Sequence, residues 1–237
     1  MLLIWLSALP LAPGLRRDAW IVWNVGQGSW VTFVEGGACR HVDAGGERWP
    51  LRALRQRCGD RRQEIFLSHW DLDHVGGVKS LRRLWPDSCL GAAPGGRTAS
   101  PRKLALLRGL PSCPSPAPEL NEIHWSVKSP SPNARSRVWV WRDRLILPGD
   151  SPRAEEERWA GALPRRHRLR LLLLGHHGSR TSSSDFLLRR LPGLRLALVS
   201  SRQARFGHPH REVIQRLRQR KIPILRTEEW GHLVFEI

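Results

Sequence analysis

Two imidazoles and two carboxylates fall within six consecutive residues, His69-Trp70-Asp71-Leu72-Asp73-His74. Nitrogen and carboxylate donors at that density suit a divalent cation, which can polarise an oxygen ester and supply hydroxide at neutral pH. The same residue types also suit a solvated turn, so the elements around them matter. The cluster follows the apolar run Ile65-Phe66-Leu67, which reads as a buried strand, and precedes a helical pattern that begins near Val75. It is thus predicted to occupy a strand-to-helix loop. Alternation along an extended segment puts His69, Asp71 and Asp73 on one side, and His74 turns back as the helix begins. Gly76 and Gly77 let backbone pack closely behind them.

Later strand ends carry comparable chemistry. Val138-Trp139-Val140-Trp141 alternates as a strand, and Leu145-Ile146-Leu147 returns to end in Pro148-Gly149-Asp150. Leu171–Leu174 is a continuous apolar strand that delivers His176 and His177, where one imidazole can face a metal while the other bonds a supporting group. The Ser/Thr run Ser179 to Ser184 that follows is expected to cap the next helix and to offer backbone donors to a phosphate. Leu196–Ser200 leads to Gly207-His208-Pro209, with Pro209 directing His208 back towards the strand ends. Upstream, Ala19–Trp23 and Trp30–Val34 read as strands joined through Asn24-Val25-Gly26-Gln27-Gly28-Ser29, and a third strand ends at Asp43. His124 reads as a strand residue, and Ile222–Leu225 with Gly231–Ile237 as an edge hairpin.

H-x-D-x-D-H-x-G-G resembles the metallo-β-lactamase superfamily signature H-x-H-x-D-H, in the variant carried by the C-terminal domain of ComEC-type DNA-internalisation competence proteins. The Gly-Asp at 149–150, the H-H-G-S-x-x-S-S at 176–183 and the G-H-P-H at 207–210 match further motifs of that family in order. The segment at 24–29 is similar to its D-V-G-Q-G-D hairpin, with Asn24 and Ser29 in place of the two acids. The resemblance covers residues 19 to 237 and implies an α/β (α+β) fold, a four-layer αββα sandwich with the site at one edge between the sheets. It implies a metal shell of His69, Asp71, Asp73, His74, Asp150 and His177, with the catalytic roles on Asp73, which orients the attacking water, and His208. Asp43, His176 and Ser179 are implied as hydrogen-bonding supports, and Arg180, Ser182 and Arg205 as nucleic-acid contacts. Two divalent ions are expected and no organic cofactor. Asp71, a hard oxygen donor at the usual second His, moves the preference towards manganese, with zinc as the alternative.

The formal net charge is +18, and only four of the 39 basic residues are Lys. Such a surface attracts polyanions, nucleic acid or anionic lipid, and Arg carries a fork that fits phosphate. A skew to Arg can also reflect base composition. Cys39, Cys58, Cys89 and Cys113 lack C-x-x-C spacing, which argues against a zinc knuckle and leaves either two disulfides or four thiols. One domain is expected over 17–237, after an apolar segment at 1–16 that is too short for a span of about 20 residues and reads as a membrane-helix stub or a weak signal sequence.

Three functions are compatible with these features. The leading one is a monomeric, metal-dependent nuclease that cuts single-stranded DNA during uptake, on the extracytoplasmic side, tethered to the membrane or beside a separate channel protein. The others are a DNA-binding module weakened in catalysis, suggested by Asn24 and Ser29, and a small-molecule hydrolase of the same superfamily.

Overall fold

Strands with apolar residues on both faces must be covered on both sides, and that requirement organises this chain. The structure, a computed structural model, describes residues 18–237 other than 97–98, 115–116, 128 and 165–166. The segment 1–16 therefore lies outside the described residues. In chain order the strands are β1 (Ala19–Val22), β2 (Val31–Glu35), β3 (Ala38–Val42), β4 (Arg62–Phe66), β5 (Cys89–Ala92), β6 (Leu120–Ile123), β7 (Val138–Trp141), β8 (Leu145–Leu147), β9 (Leu171–Leu173), β10 (Leu196–Val199), β11 (Ile224–Arg226) and β12 (Leu233–Glu236). The helices are α1 (Leu51–Cys58), α2 (Leu72–Val75), α3 (Val78–Leu84), α4 (Pro101–Leu107), α5 (Arg153–Gly161), α6 (Asp185–Arg190), α7 (Gln203–Phe206), α8 (Arg211–Gln219) and α9 (Thr227–Trp230).

The strands form two six-stranded sheets, ordered β12-β1-β2-β3-β4-β5 and β11-β10-β9-β8-β7-β6. The two-residue period of a strand then sorts side chains into layers. Trp20, Val22 and Phe33 from the first sheet meet Trp139, Leu147 and Leu173 from the second in the central core. Their neighbours Ile21, Trp23 and Ile65 face outwards, onto Leu54 of α1 and Leu81 of α3. On the other side Ile146 and Leu172 pack under Trp159 of α5, Leu187 of α6 and Leu217 of α8. Helix, sheet, sheet and helix make four layers, the αββα sandwich.

Topology also gathers the loops. β3, β4 and β5 run parallel, as do β8, β9, β10 and β11, so within each sheet these strands have their carboxyl ends at one edge. The loops after β3, β4, β8, β9 and β10 leave from those edges, and they carry nearly every residue considered below.

Three expectations need correction. The final segments are not a hairpin: β11 pairs parallel with β10, whereas β12 pairs antiparallel with β1 in the other sheet. The helix near Val75 is two short ones, broken at Gly76 and Gly77, where Gly77 N–H donates to the Ala44 carbonyl at 2.7 Å. His124 lies just beyond β6, its side chain 81% exposed. The cysteine alternatives resolve as two disulfides, Cys39–Cys58 joining β3 to the end of α1, and Cys89–Cys113 closing the excursion that contains α4.

Candidate metal centre

Asp43 anchors the centre from the end of β3. It takes up a left-handed backbone (φ 59°), which turns its carboxylate in towards the loop after β4. One carboxylate oxygen accepts from Ser68 N–H at 2.8 Å, and the other accepts from Ser68 Oγ at 2.9 Å and from His74 Nδ1 at 2.7 Å. Because Nδ1 donates to Asp43, the Nε2 of His74 is aimed at the middle of the site. Ser68 carries no obvious signal beyond standing next to His69, yet its hydroxyl also lies 3.0 Å from His69 Nδ1.

Asp150 faces this loop from the end of β8 and is buried, with its N–H held by Ser136 Oγ at 3.1 Å. Its oxygens stand 3.0 Å from His74 Nε2, 3.8 Å from His69 Nε2, 3.8 Å from His177 Nε2 and 3.5 Å from His176 Nε2. Asp150 Oδ1, despite its closeness to His74 Nε2, and His69 Nε2 are both buried without a hydrogen-bond partner among the described residues. His177 comes from the turn after β9, where His176 and His177 both adopt positive φ (49° and 55°). Non-glycine residues held there cost of order 1–3 kcal/mol each, a strain that clusters at functional sites. His177 Nδ1 donates to the Ser200 carbonyl at 3.2 Å, leaving Nε2 3.1 Å from Asp73 Oδ2 and 3.3 Å from His74 Nε2.

These atoms fall into two triads with one shared member: His69, His74 and Asp150, and Asp73, His74 and His177, each with ligand atoms within 4.8 Å of one another. Buried imidazole nitrogens and carboxylate oxygens that face each other unbonded are a donor set for a divalent metal. Electrostatics agree. Burial by itself would lower the His74 pKa, but the carboxylates of Asp150 and Asp43 raise it well above the ordinary value. Burial pushes the Asp150 and Asp73 carboxyls up, and the surrounding imidazoles outweigh it and hold both carboxyls low.

Other sequence-named residues take different places. Asp71 belongs to neither triad; it lies 3.5 Å from His69 Nε2 and forms an ion pair at 3.2 Å with Lys103 of α4, a residue distant in sequence that no motif marks. His208 accepts from the Gln27 side-chain amide at 3.2 Å, and its ring centroid stands 6.1 Å from that of His176. Burial first, then His177 and His176, push its pKa down to about 4. Ser179 Oγ bonds Thr181 Oγ1 at 3.0 Å. Arg180 is exposed, and Arg205 pairs with Glu47 at 2.5 Å.

Ser182 and the phosphate expectation are corrected. The Ser182 hydroxyl is buried and donates to the Ser151 carbonyl at 2.9 Å, so it does not face solvent. The N–H groups of Ser183 and Ser184 are taken by the buried carboxyl group of Glu156, at 2.5 and 2.8 Å, an internal acceptor where a phosphate was expected.

The two replaced acids also part company. Gly28, where a Cβ would come within 2.8 Å of the Asp73 carbonyl, lets the loop after β1 lie against the metal loop, and Ser29 N–H donates to that carbonyl at 2.9 Å. Ser29 lines a small void with His74, Asp150 and His177. The Asn24 side chain points elsewhere, accepting from Arg48 at 2.6 Å and donating to the Thr227 carbonyl at 2.8 Å.

No model of a protein family matches the chain. The chain is similar to Competence protein ComA of Neisseria gonorrhoeae, 28% identical over 97% of this chain and 34% of that protein. It is also similar to Recombination protein 2 of Haemophilus influenzae, 26% identical over 92% of this chain and 29% of that protein. It thus spans about a third of the length of these curated relatives. Among solved structures it superposes on the metallo-β-lactamase fold protein YhfI from Bacillus subtilis with a TM-score of 0.57, at 14% identity, over 92% of this chain and 100% of that one.

Proposed function

We propose, starting from a chain whose fold is that of the metallo-β-lactamases and whose sequence is of the ComEC type, that it is a metal-dependent phosphodiesterase that cuts single-stranded DNA during uptake. The observation that carries this reading is the pair of buried, unbonded ligand atoms, His69 Nε2 and Asp150 Oδ1, at the meeting of two triads. The net charge of +18 supports a polyanionic substrate, and relatives called competence and recombination proteins support DNA. A divalent metal bound there supplies Lewis-acid polarisation of the phosphoryl oxygen and an acidified water.

The chain's own residues have separable tasks. His69, His74, His177, Asp73 and Asp150 would hold the metal, while Asp43 and the Ser200 carbonyl fix which nitrogen of His74 and His177 faces it. Asp73, held ionised by imidazole neighbours, orients the attacking water. His208 is neutral at neutral pH and, with Nδ1 accepting from Gln27, presents Nε2–H as a donor to a substrate oxygen. Three imidazoles with two carboxylates suit zinc as well as manganese, and the lean to manganese rests on Asp71, 3.5 Å from His69 Nε2, adding a third carboxylate.

No helix among the described residues is long and apolar enough to cross a membrane. Two disulfides suit an oxidising compartment, so the proposed site of action is extracytoplasmic, next to a channel that admits the surviving strand. The test is metal analysis of the purified protein with digestion of single-stranded DNA, with and without manganese. The expected result is bound divalent metal and cleavage that a chelator stops. Salt-sensitive DNA binding with neither metal nor cleavage would replace the enzyme with a binding module.

A further inference from the structure

Beside the metal loop lies a cavity of about 180 Å³, lined by Gly95 and Gly96 with Arg135 packed on them, and by Ile123, His124 and Trp125. Its wall is built from the same backbone as the centre. Gly95 N–H and Arg137 N–H both donate to the Ser68 carbonyl at 2.9 Å, and Ser136 Oγ holds Asp150 N–H. Gly95 is required there, because a Cβ would overlap the Arg135 carbonyl.

The polar groups of this wall divide into occupied and available ones. Arg137 pairs with Glu122 at 2.5 Å and donates to the Ala93 carbonyl at 2.7 Å, tying the glycine loop to β6. The Trp125 indole is fixed by Nε1 donation to Glu155 at 2.9 Å and packs in part against the outer core of the second sheet. The guanidinium of Arg135, by contrast, makes no ion pair or hydrogen bond among the described residues, and His124 has only a 3.9 Å approach to Glu122. An aromatic plate held in place and an unpaired guanidinium lining the same cavity are the chemistry that receives a base and its phosphate, with stacking that tolerates any sequence.

We propose that this cavity holds one nucleotide of a single strand whose neighbouring phosphodiester lies at the metal centre, the base against Trp125 and the phosphate on Arg135. This rests on the phosphodiesterase reading, and it adds where the strand runs: past the ends of β6 and β7. The test uses the full chain in EDTA, so that no strand is cut, with fluorescence anisotropy of a labelled short oligothymidylate across a salt series. Arg135→Gln, which breaks no bond in the fold, and Trp125→Ala are each expected to bind about tenfold more weakly or worse. Arg135→Gln should also lower the slope of log affinity against log salt by about 0.7, the share of one phosphate on a single strand. Arg218→Gln removes the same charge from an exposed position on α8 and is expected to bind as the parent does. Parental affinity and slope for Arg135→Gln, or an equal loss for Arg218→Gln, would overturn the proposal. Cleavage by the unaltered chain, measured separately with manganese, reads the enzymatic function, so a failure of one reading is distinguishable from a failure of the other.

Discussion

His41 and His74 are equally buried and come from the same sheet and its loops, yet they are opposites. His41 is surrounded by neutral partners: its Nδ1 lies 3.2 Å from Trp30 Nε1 and 2.9 Å from Thr32 Oγ1, and its Nε2 lies 2.9 Å from Gln63 Oε1. Burial, only partly offset by Gln63, pushes its pKa down to about 4. His74 has carboxylates on both sides, and its pKa goes up instead. Burial alone therefore silences an imidazole, and partners decide whether it carries charge or offers a lone pair. Both nitrogens of His41 are satisfied within the sheet, whereas the Nε2 of His74 meets other ligand atoms.

The comparison can be broken most severely at Asp150. Asp150→Ala removes the carboxylate that faces His69, His74, His176 and His177, and it is expected to lose bound metal and reduce hydrolysis to background. Metal content by mass spectrometry and a cleavage assay check this, and retained activity would remove Asp150 from the centre.

His41 should report on itself through stability. Its folded pKa is depressed, so between about pH 6.5 and about pH 4 the unfolded chain binds a proton that the folded chain refuses. Stability from this group is present above pH 6.5 and is lost as pH falls towards 4, by about 3 kcal/mol in all. Chemical denaturation across that window, with His41→Gln as the reference, should show the slope in the parent and a flatter profile in the variant.

Asp43→Asn makes the environment of His74 more like that of His41, replacing a charged acceptor by an amide. Losing such an outer partner typically costs about 10–100-fold in metal affinity, which competition with a chromogenic chelator would read. An unchanged affinity would mean that His74 needs no carboxylate behind it. The smallest effects are expected in the loop after β1. Ser29→Asp sets a carboxylate beside the centre and should raise metal affinity, whereas Asn24→Asp, engaged with Arg48 and Thr227, should leave it within error. Equal effects from both would show that the loop acts as a unit.

The sequence was readable where chemistry is contiguous. His69 to His74 and His176-His177 announce themselves by density, and β-branched or aromatic alternation marks the strands that carry them. What it hid depends on pairing across long separations. β11 and β12 are neighbours in the chain, but packing sends them to different sheets. The amides of Ser183 and Ser184 read as free for phosphate in the sequence, and α5 brings Glu156 to them. Ser68 gains its meaning only when Asp43, just past the end of the adjacent parallel strand, reaches it.

The Cys89–Cys113 bridge acts at a distance on the rim of the metal centre. It closes the stretch that bears α4, and α4 brings Lys103 onto Asp71 at the rim of the centre. Closing a loop of this size removes unfolded-state freedom worth about 3 kcal/mol. A newly made chain whose thiols are still reduced lacks that restraint, so the clasp between Lys103 and Asp71 is less firmly set. The state of two cysteines far from the metal ligands in sequence is therefore tied to how firmly the rim of the centre is held.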